Sequence, residues 1–140
     1  MRKMSIDKKR IEELTLPDDI QYYNEHTWAK VEGDLVKVGI TDFAQSQLEE
    51  IIFIELPQVG EEFKQGVVFG QAESAKSVSS LYMPLSGEIK SLNIDVEDSP
   101  ELVNTNPYGD GWMIIIKPKD LNELNDLLSR DRYISLLKGS

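Results

Sequence analysis

A chain of 140 residues fits one domain of ordinary size, because each of two halves would have too little core to be stable alone. It is 40% hydrophobic and 29% charged, which indicates a folded chain, and no apolar run approaches the roughly 20 residues that span a membrane. The net charge of -10 opposes binding to phosphates and anionic lipids, so we expect no nucleic-acid partner and no membrane partner.

The first ten residues differ in charge from the rest of the chain. They carry five basic residues and one acidic residue, so the remainder is more acidic than the net charge suggests. They lack the apolar stretch of a secretory signal, and we expect a cytoplasmic protein. Ile6, Ile11 and Leu14 give only a thin helical pattern. We therefore predict a basic extension, mobile or helical, over residues 1–20, and a single domain over residues 21–140.

Between residues 22 and 117 the sequence consists of short β segments separated by turn residues. Glu32-Gly33-Asp34 has the length and composition of a hairpin connection. The apolar runs 51–54 and 113–116 favour strands buried on both faces. The sequence therefore predicts a mainly β core of the sandwich or barrel type, with strands at 28–31, 35–40, 51–56, 67–72, 81–83, 87–93 and 112–117.

Helical patterns lie outside this β core. Thr41 is a suitable N-cap for a helix over residues 42–48. Asp120 and Glu123 have the spacing of a capping box that opens a second helix, 121–128, whose leucines we expect to pack on the sheet. A third short helix is predicted over residues 132–137.

The types of residue available limit the chemistry of the chain. It has no cysteine, and its one histidine, His26, precedes Thr27 and Trp28. A general base needs a second group to orient it or to receive the proton, so we interpret His26 as a structural hydrogen-bonding residue. The acidic doublets Glu49-Glu50 and Glu61-Glu62 point to different sides of any strand or helix and form no site by themselves. We predict no catalytic residue and no metal site.

Lys76 is the residue that the pattern singles out. It stands among small and hydroxylated residues, between a strand predicted to end near residue 72 and another predicted to begin near residue 81. Its side chain should therefore project from an exposed hairpin, although exposed lysines in turns are common.

The segment around Lys76 carries a family resemblance. Glu73-Ser74-Ala75-Lys76, followed by 82–87 (YMPLSG), resembles the modified-lysine region of the glycine cleavage system H protein family of lipoyl carriers. Further agreement extends from about residue 21 to residue 137, and only the basic N-terminal stretch falls outside it. The matching segments are 26–28, 38–45, 53–57, 59–60, 98–104 and 106–112.

The resemblance implies a barrel-sandwich hybrid with a lipoyl-domain-like core and short peripheral and C-terminal helices. It implies that lipoate is bound covalently, as an amide on Lys76, and supplies the dithiolane that a chain without cysteine lacks. The residues expected to shape the hairpin and to be recognised during attachment are Glu73, Ser74, Ala75, Ser77 and, in the turn after Ser86, Gly87.

The resemblance also implies a function and partners. A non-catalytic carrier would move the aminomethyl group of glycine from a PLP-dependent glycine decarboxylase to an aminomethyltransferase. Dihydrolipoamide dehydrogenase would then reoxidise the arm, and a lipoate attachment enzyme would load it. The carrier's contribution is a high effective concentration of the arm at successive active sites.

Four departures from the family pattern keep other functions open. Thr27 and Ser80 stand where the family commonly has carboxylates, Ala75 replaces a usual Val, and Glu49-Glu50 replaces Gly-Asp. Carboxylates near the lysine would attract a cationic aminomethyl group, so their loss weakens the link to glycine. The alternatives are an H-like lipoate carrier of another pathway, such as sulfur oxidation, and a platform that relays lipoyl groups.

Overall fold

The computed structural model describes residues 10–139 and consists mainly of two antiparallel sheets. The order of strands is β1-β2-β3-β9-β8-β5 in one sheet and β4-β6-β7 in the other. This arrangement confirms the mainly β class. The strands are β1 (Gln21–Tyr22), β2 (Thr27–Glu32), β3 (Leu35–Ile40), β4 (Ile51–Glu55), β5 (Glu62–Phe63), β6 (Val68–Ser74), β7 (Val78–Tyr82), β8 (Gly87–Leu92) and β9 (Ile114–Pro118).

Short helices surround the sheets. They are α1 (Asp42–Leu48), α2 (Ile94–Asp98), α3 (Glu101–Thr105) and α4 (Arg130–Leu137), with 3₁₀ turns at Ile11–Glu13 and Leu121–Asp126. The hydroxyl of Thr41 accepts a hydrogen bond from the backbone N–H of Ala44 at 3.2 Å, which confirms it as the N-cap of α1. The sequence did not predict α2 and α3, because five residues are too few to show a helical period.

The prediction of an α-helix over residues 121–128 is wrong. The segment is a 3₁₀ turn that ends before Leu127, whose backbone is extended. Leu128 then exchanges two backbone hydrogen bonds with Tyr22, at 2.7 and 2.8 Å, and so continues the edge of the large sheet. Glu123 closes no capping box, since its carboxylate accepts hydrogen bonds from the backbone N–H and hydroxyl of Ser86. Leu121 is 61% exposed, whereas Leu127 is buried in the main core and Leu124 and Leu128 pack against the core clusters, as expected for these leucines.

The main hydrophobic core lies between the two sheets. It includes the buried side chains of Val36 and Val38 on β3 and Ile114 and Ile116 on β9. The expectation that residues 51–54 are buried on both faces is wrong, because Ile52 and Phe53 are 54% and 49% exposed. β4 is an edge strand, and a bulge between Ile51 and Phe53 interrupts its pairing with β6.

The segment before β1 packs against the domain. Leu16 and Ile20 are buried in a second core cluster with Tyr22, Trp28 and Tyr133. The boundary predicted at residue 20 therefore does not separate an extension from the fold. The predicted helix and mobility of residues 1–9 lie outside the described residues.

Candidate functional site

A hairpin between β6 and β7 presents Lys76. The two strands pair as far as Glu73 and Val78. The predicted strands ended at residue 72 and began at residue 81, so the strands in the structure approach the lysine more closely. The serines of β7 carry little strand propensity, which explains the shorter prediction.

Ser74 fixes this tight turn through both its backbone and its side chain. The backbone N–H of Ser74 donates to the carbonyl of Ser77 at 2.8 Å. Its hydroxyl accepts hydrogen bonds from the backbone N–H groups of Lys76 at 3.3 Å and Ser77 at 3.2 Å. Ser74 is buried, whereas Ala75, Lys76 and Ser77 are exposed. The hydroxyl at residue 74 thus accepts hydrogen bonds from backbone N–H groups of the turn, while the lysine side chain stays exposed to solvent.

The ammonium of Lys76 contacts the carboxylate of Glu49. The distance from Lys76 Nζ to Glu49 Oε1 is 2.8 Å, with side-chain exposures of 72% for the lysine and 15% for the glutamate. The sequence reasoning missed this pairing because it treated the Glu49-Glu50 doublet as part of an acidic surface. The available signal was the departure from glycine at residue 49.

Glu49 has an unusual backbone conformation at the end of α1. Its φ of 66° and ψ of -142° belong to a region that glycine occupies easily and other residues rarely. Asn104 of α3 holds this segment: its Nδ2 donates to the carbonyl of Glu49 at 2.7 Å, and its Oδ1 accepts from the N–H of Ile51 at 2.9 Å. The carboxylate that contacts Lys76 therefore projects from a fixed backbone.

Glu73 lies on the outer face of the three-stranded sheet. It is half-buried and pairs with Phe53 on one side and Val78 on the other, both of which are exposed. The Glu73 side chain thus lies three residues before the lysine and beside two exposed apolar residues. A partner protein can contact it there.

For the lipoate attachment that the family resemblance implies, we expect Glu73→Ala to slow the reaction at Lys76. The free energy of unfolding should change by no more than about 0.5 kcal/mol, because Glu73 lies on an outer sheet face. The measurement is the rate of mass gain with a purified attachment enzyme, together with a urea unfolding curve. Gln71→Ala is the matched control, because Gln71 is exposed on the same strand, two residues further from the tip. Equal rates for Glu73→Ala and the wild type would remove Glu73 from recognition.

Gly87 lies outside the Lys76 hairpin, at the start of β8 in the large sheet. A Cβ at this position would stand 2.7 Å from the backbone carbonyl oxygen of Lys117 on β9. Close approach of the two strands therefore requires glycine here, rather than the turn conformation that the sequence suggested.

A cleft of about 230 Å³ begins beside the hairpin. We call it the α1–β7 cleft. Its lining includes Phe43, Ala44 and Leu48 of α1 and Ser79, Ser80 and Leu81 of β7. Apolar surface and hydroxyl groups thus both contribute to it. The remaining lining residues are Glu25, His26, Thr27, Ile40, Gln47 and Ser77.

His26 lines this cleft, and a hydrogen bond to α4 holds its ring in place. Its Nδ1 shares a hydrogen bond of 2.8 Å with the hydroxyl of Tyr133, which is also 2.8 Å from the hydroxyl of Thr41. Its ring centroid lies 4.9 Å from that of Phe43. The expected structural hydrogen bond of His26 is confirmed, with a partner on α4 that the sequence did not indicate.

We expect His26 to make stability depend on pH. Desolvation lowers the pKa of His26 below its ordinary value, and Glu25 opposes that shift. The unfolded chain then binds more protons below about pH 6.5, so the free energy of unfolding should fall as the pH drops from that value. Burial raises the pKa of Tyr133, so the Tyr133 hydroxyl stays neutral over this pH range.

The check is urea unfolding between about pH 7 and pH 5.5, with His26→Asn as the comparison. Asparagine tolerates the positive φ of 74° at this position. The variant should lose the part of the pH dependence that begins near pH 6.5. An unchanged profile would show that His26 does not titrate differently in the folded state.

The described residues lack the features of two other classes of site. Within residues 10–139 no group of three or more acidic or histidine side chains is arranged to hold a metal ion. Across the same residues no helix has the length and apolar character needed to cross a membrane.

Together, two packed sheets and a tight hairpin beside a cleft form a small β domain that presents Lys76 at the tip of the hairpin. Comparison with known proteins then identifies the family. The profile described as "Glycine cleavage H-protein" matches residues 20–140. The chain belongs to this family.

Curated relatives and a solved structure agree with this assignment. A glycine cleavage system H protein of Bacillus licheniformis is 47% identical over 125 residues, 89% of this chain and 98% of its own. That of Bacteroides thetaiotaomicron is 46% identical over 126 residues, 90% and 100% of the two chains. The crystal structure of a glycine cleavage system H protein from Mycobacterium marinum has a TM-score of 0.81 at 35% identity, covering 87% of this chain and 98% of that one.

Proposed function

We propose that this chain is the lipoyl-carrying protein of a glycine cleavage system and that Lys76 carries the lipoate as an amide. The observation that carries the proposal is the exposed lysine at the tip of the β6–β7 hairpin. Membership of the family supports the pathway, and the small neighbours Ala75 and Ser77 leave room for an enzyme to reach the amine.

The residues of the site fit a lipoyl group. The α1–β7 cleft starts at Ser77, next to the attachment point, and offers apolar walls from Phe43, Leu48 and Leu81. Lipoyl-lysine is a long flexible arm, and Lys76 directly precedes the lining residue Ser77, so the arm can enter the cleft from its attachment point. The mixture of apolar and hydroxyl-bearing lining residues suits such an arm.

When bound, lipoate would supply a disulfide that accepts the aminomethyl group of glycine. The chain's own residues tether, present and shelter the arm. Lys76 is the covalent anchor, Ser74 holds the turn that exposes it, and the cleft gives the arm a resting place between partners. The chain itself catalyses no step, and its contribution is a high local concentration of the arm at each partner.

The expected partners are glycine decarboxylase, aminomethyltransferase, dihydrolipoamide dehydrogenase and the lipoate attachment enzyme. The net charge of -10 would steer these transient encounters where the partner's docking face is positive. The cytoplasmic location expected from the sequence stays a prediction.

The charge of the cleft distinguishes this carrier from its family pattern. Thr27 is buried and donates its hydroxyl to the carbonyl of Tyr82 at 2.9 Å, and Ser80 offers only a hydroxyl. Among the described lining residues, Glu25 supplies the carboxylate. A cationic aminomethyl group would still meet one negative charge there.

Exchange of labelled bicarbonate into the carboxyl group of glycine tests the pathway. With purified glycine decarboxylase, we expect the lipoylated chain to support exchange, and the unmodified chain to support none. No exchange, combined with normal reduction of the lipoylated chain by dihydrolipoamide dehydrogenase, would instead favour a lipoate carrier of another pathway such as sulfur oxidation, or a lipoyl relay.

A further inference from the structure

The ion pair between Glu49 and Lys76 joins two structural units. Lys76 lies on the hairpin of the small sheet, whereas Glu49 ends α1. The glutamate is mostly withdrawn from solvent and the lysine is mostly exposed, so the contact draws the lysine towards the end of α1.

The position of this pair relative to the α1–β7 cleft is given by the neighbouring residues. Leu48, directly before Glu49, and Ser77, directly after Lys76, both line the cleft. The pair therefore stands beside the cleft, next to the lining residues where an arm attached to Lys76 would enter.

Glutamate rarely adopts the backbone conformation of Glu49, yet hydrogen bonds hold the residue in that conformation. Its φ is 66°, and Asn104 and Gln45 hold the backbone carbonyl and N–H of Glu49 in place. A residue kept in a costly conformation by its surroundings is a candidate for a functional role. Because the family pattern has glycine here, that role belongs to this chain rather than to the fold.

We propose that Glu49 is a positioning residue that recognises the charge of unmodified Lys76, restrains it beside the cleft, and releases it once the lysine is acylated. This inference rests on the proposed lipoylation of Lys76. An amide nitrogen carries no charge, so modification removes the attraction that holds the side chain. The same event that attaches the arm then frees it to enter the cleft.

The chemistry of attachment explains the expected direction of the effect. The Lys76 ammonium first gives up a proton. The amine nitrogen then forms a bond to the carbonyl carbon of an activated acyl donor, such as an acyl adenylate, whose leaving oxygen departs with the bonding electron pair. A second proton passes from the nitrogen to solvent. Glu49 favours the charged, restrained lysine and should therefore slow acylation.

Acetylation by N-hydroxysuccinimide acetate tests this proposal without any enzyme. Peptide mass mapping would follow Lys76, with Lys64 and Lys90 as internal references. In Glu49→Gln we expect Lys76 to react about two- to fivefold faster than in the wild type at low salt, the range for an exposed ion pair. The difference should shrink at about 0.5 M salt. Glu49→Asp keeps the negative charge, so its Lys76 should react at a rate between those of the wild type and Glu49→Gln.

Glu50→Gln is the matched control, because Glu50 is the exposed neighbour of Glu49, and it should leave the rate at Lys76 unchanged. Equal Lys76 rates in the wild type and Glu49→Gln, or equal acceleration in both glutamine variants, would overturn the proposal. The assay requires neither lipoate nor partners, so a negative result would leave the carrier function standing. Conversely, absence of lipoate from Lys76 after coexpression with an attachment enzyme would remove the carrier function and leave the measured effect of Glu49.

Discussion

Lys76→Arg should abolish lipoylation completely. Arginine preserves the positive charge and an ion pair with Glu49, but its guanidinium stays protonated and cannot be acylated as lysine is. Because the Lys76 side chain is 72% exposed, the free energy of unfolding should stay within about 0.5 kcal/mol of the wild-type value. Intact mass after coexpression with a lipoate ligase measures the modification.

Two other exposed lysines provide the controls for this experiment. Lys64→Arg and Lys90→Arg should each retain one lipoyl group, because neither residue lies at the tip of a hairpin between strands. A lipoyl group found on Lys64 or Lys90 in the wild-type protein, with Lys76 unmodified, would contradict the assignment of the site.

Gly70→Ala should be among the most destabilising single substitutions in the sheet that carries the hairpin. A Cβ on Gly70 would stand within van der Waals overlap of the backbone carbonyl oxygen of Glu55, and a backbone atom cannot rotate away as a side chain can. The pairing of β4 with β6 would have to shift, at a cost of about 3 kcal/mol. Urea unfolding would show the loss directly.

Gln71→Ala again serves as the control, because its side chain is exposed on the adjacent residue of β6. Its midpoint of unfolding should stay close to the wild-type value. If Gly70→Ala unfolded at the same urea concentration as Gln71→Ala, then the strands would tolerate a wider spacing than the structure has. Lipoylation of Gly70→Ala should also slow, because the shifted strand leads into the hairpin.

Local sequence signals predicted the parts of the fold that depend on neighbouring residues. The hairpin of β2 and β3 follows from alternating apolar residues around Glu32-Gly33-Asp34, and its strands differ from the prediction by one residue at each end of β2. Thr41 begins α1 because a hydroxyl can accept an N–H three residues later, which is a purely local interaction. The exposed position of Lys76 followed from its small neighbours in the same way.

The features that were missed depend on contacts between distant parts of the chain. The leucines of residues 121–128 have helical spacing, yet Leu128 pairs as a strand with Tyr22, which the local pattern does not contain. Glu49 and Lys76 are 27 positions apart in sequence and meet only in the folded structure. The anchoring of His26 by Tyr133 spans 107 residues. The residues within one segment do not indicate which distant residue that segment will contact.

The separation between His26 and Tyr133 has a consequence for synthesis of the protein on the ribosome. The small sheet with its lysine lies between Ile51 and Tyr82, so this whole segment is made well before Tyr133. The hydroxyl that anchors His26 can join the fold only after Tyr133 is synthesised, later than the whole small sheet. A nascent chain therefore contains every strand of the hairpin sheet while one wall of the cleft still lacks its support. A chain terminated before Arg130 would keep the acceptor lysine but lose the anchor of His26.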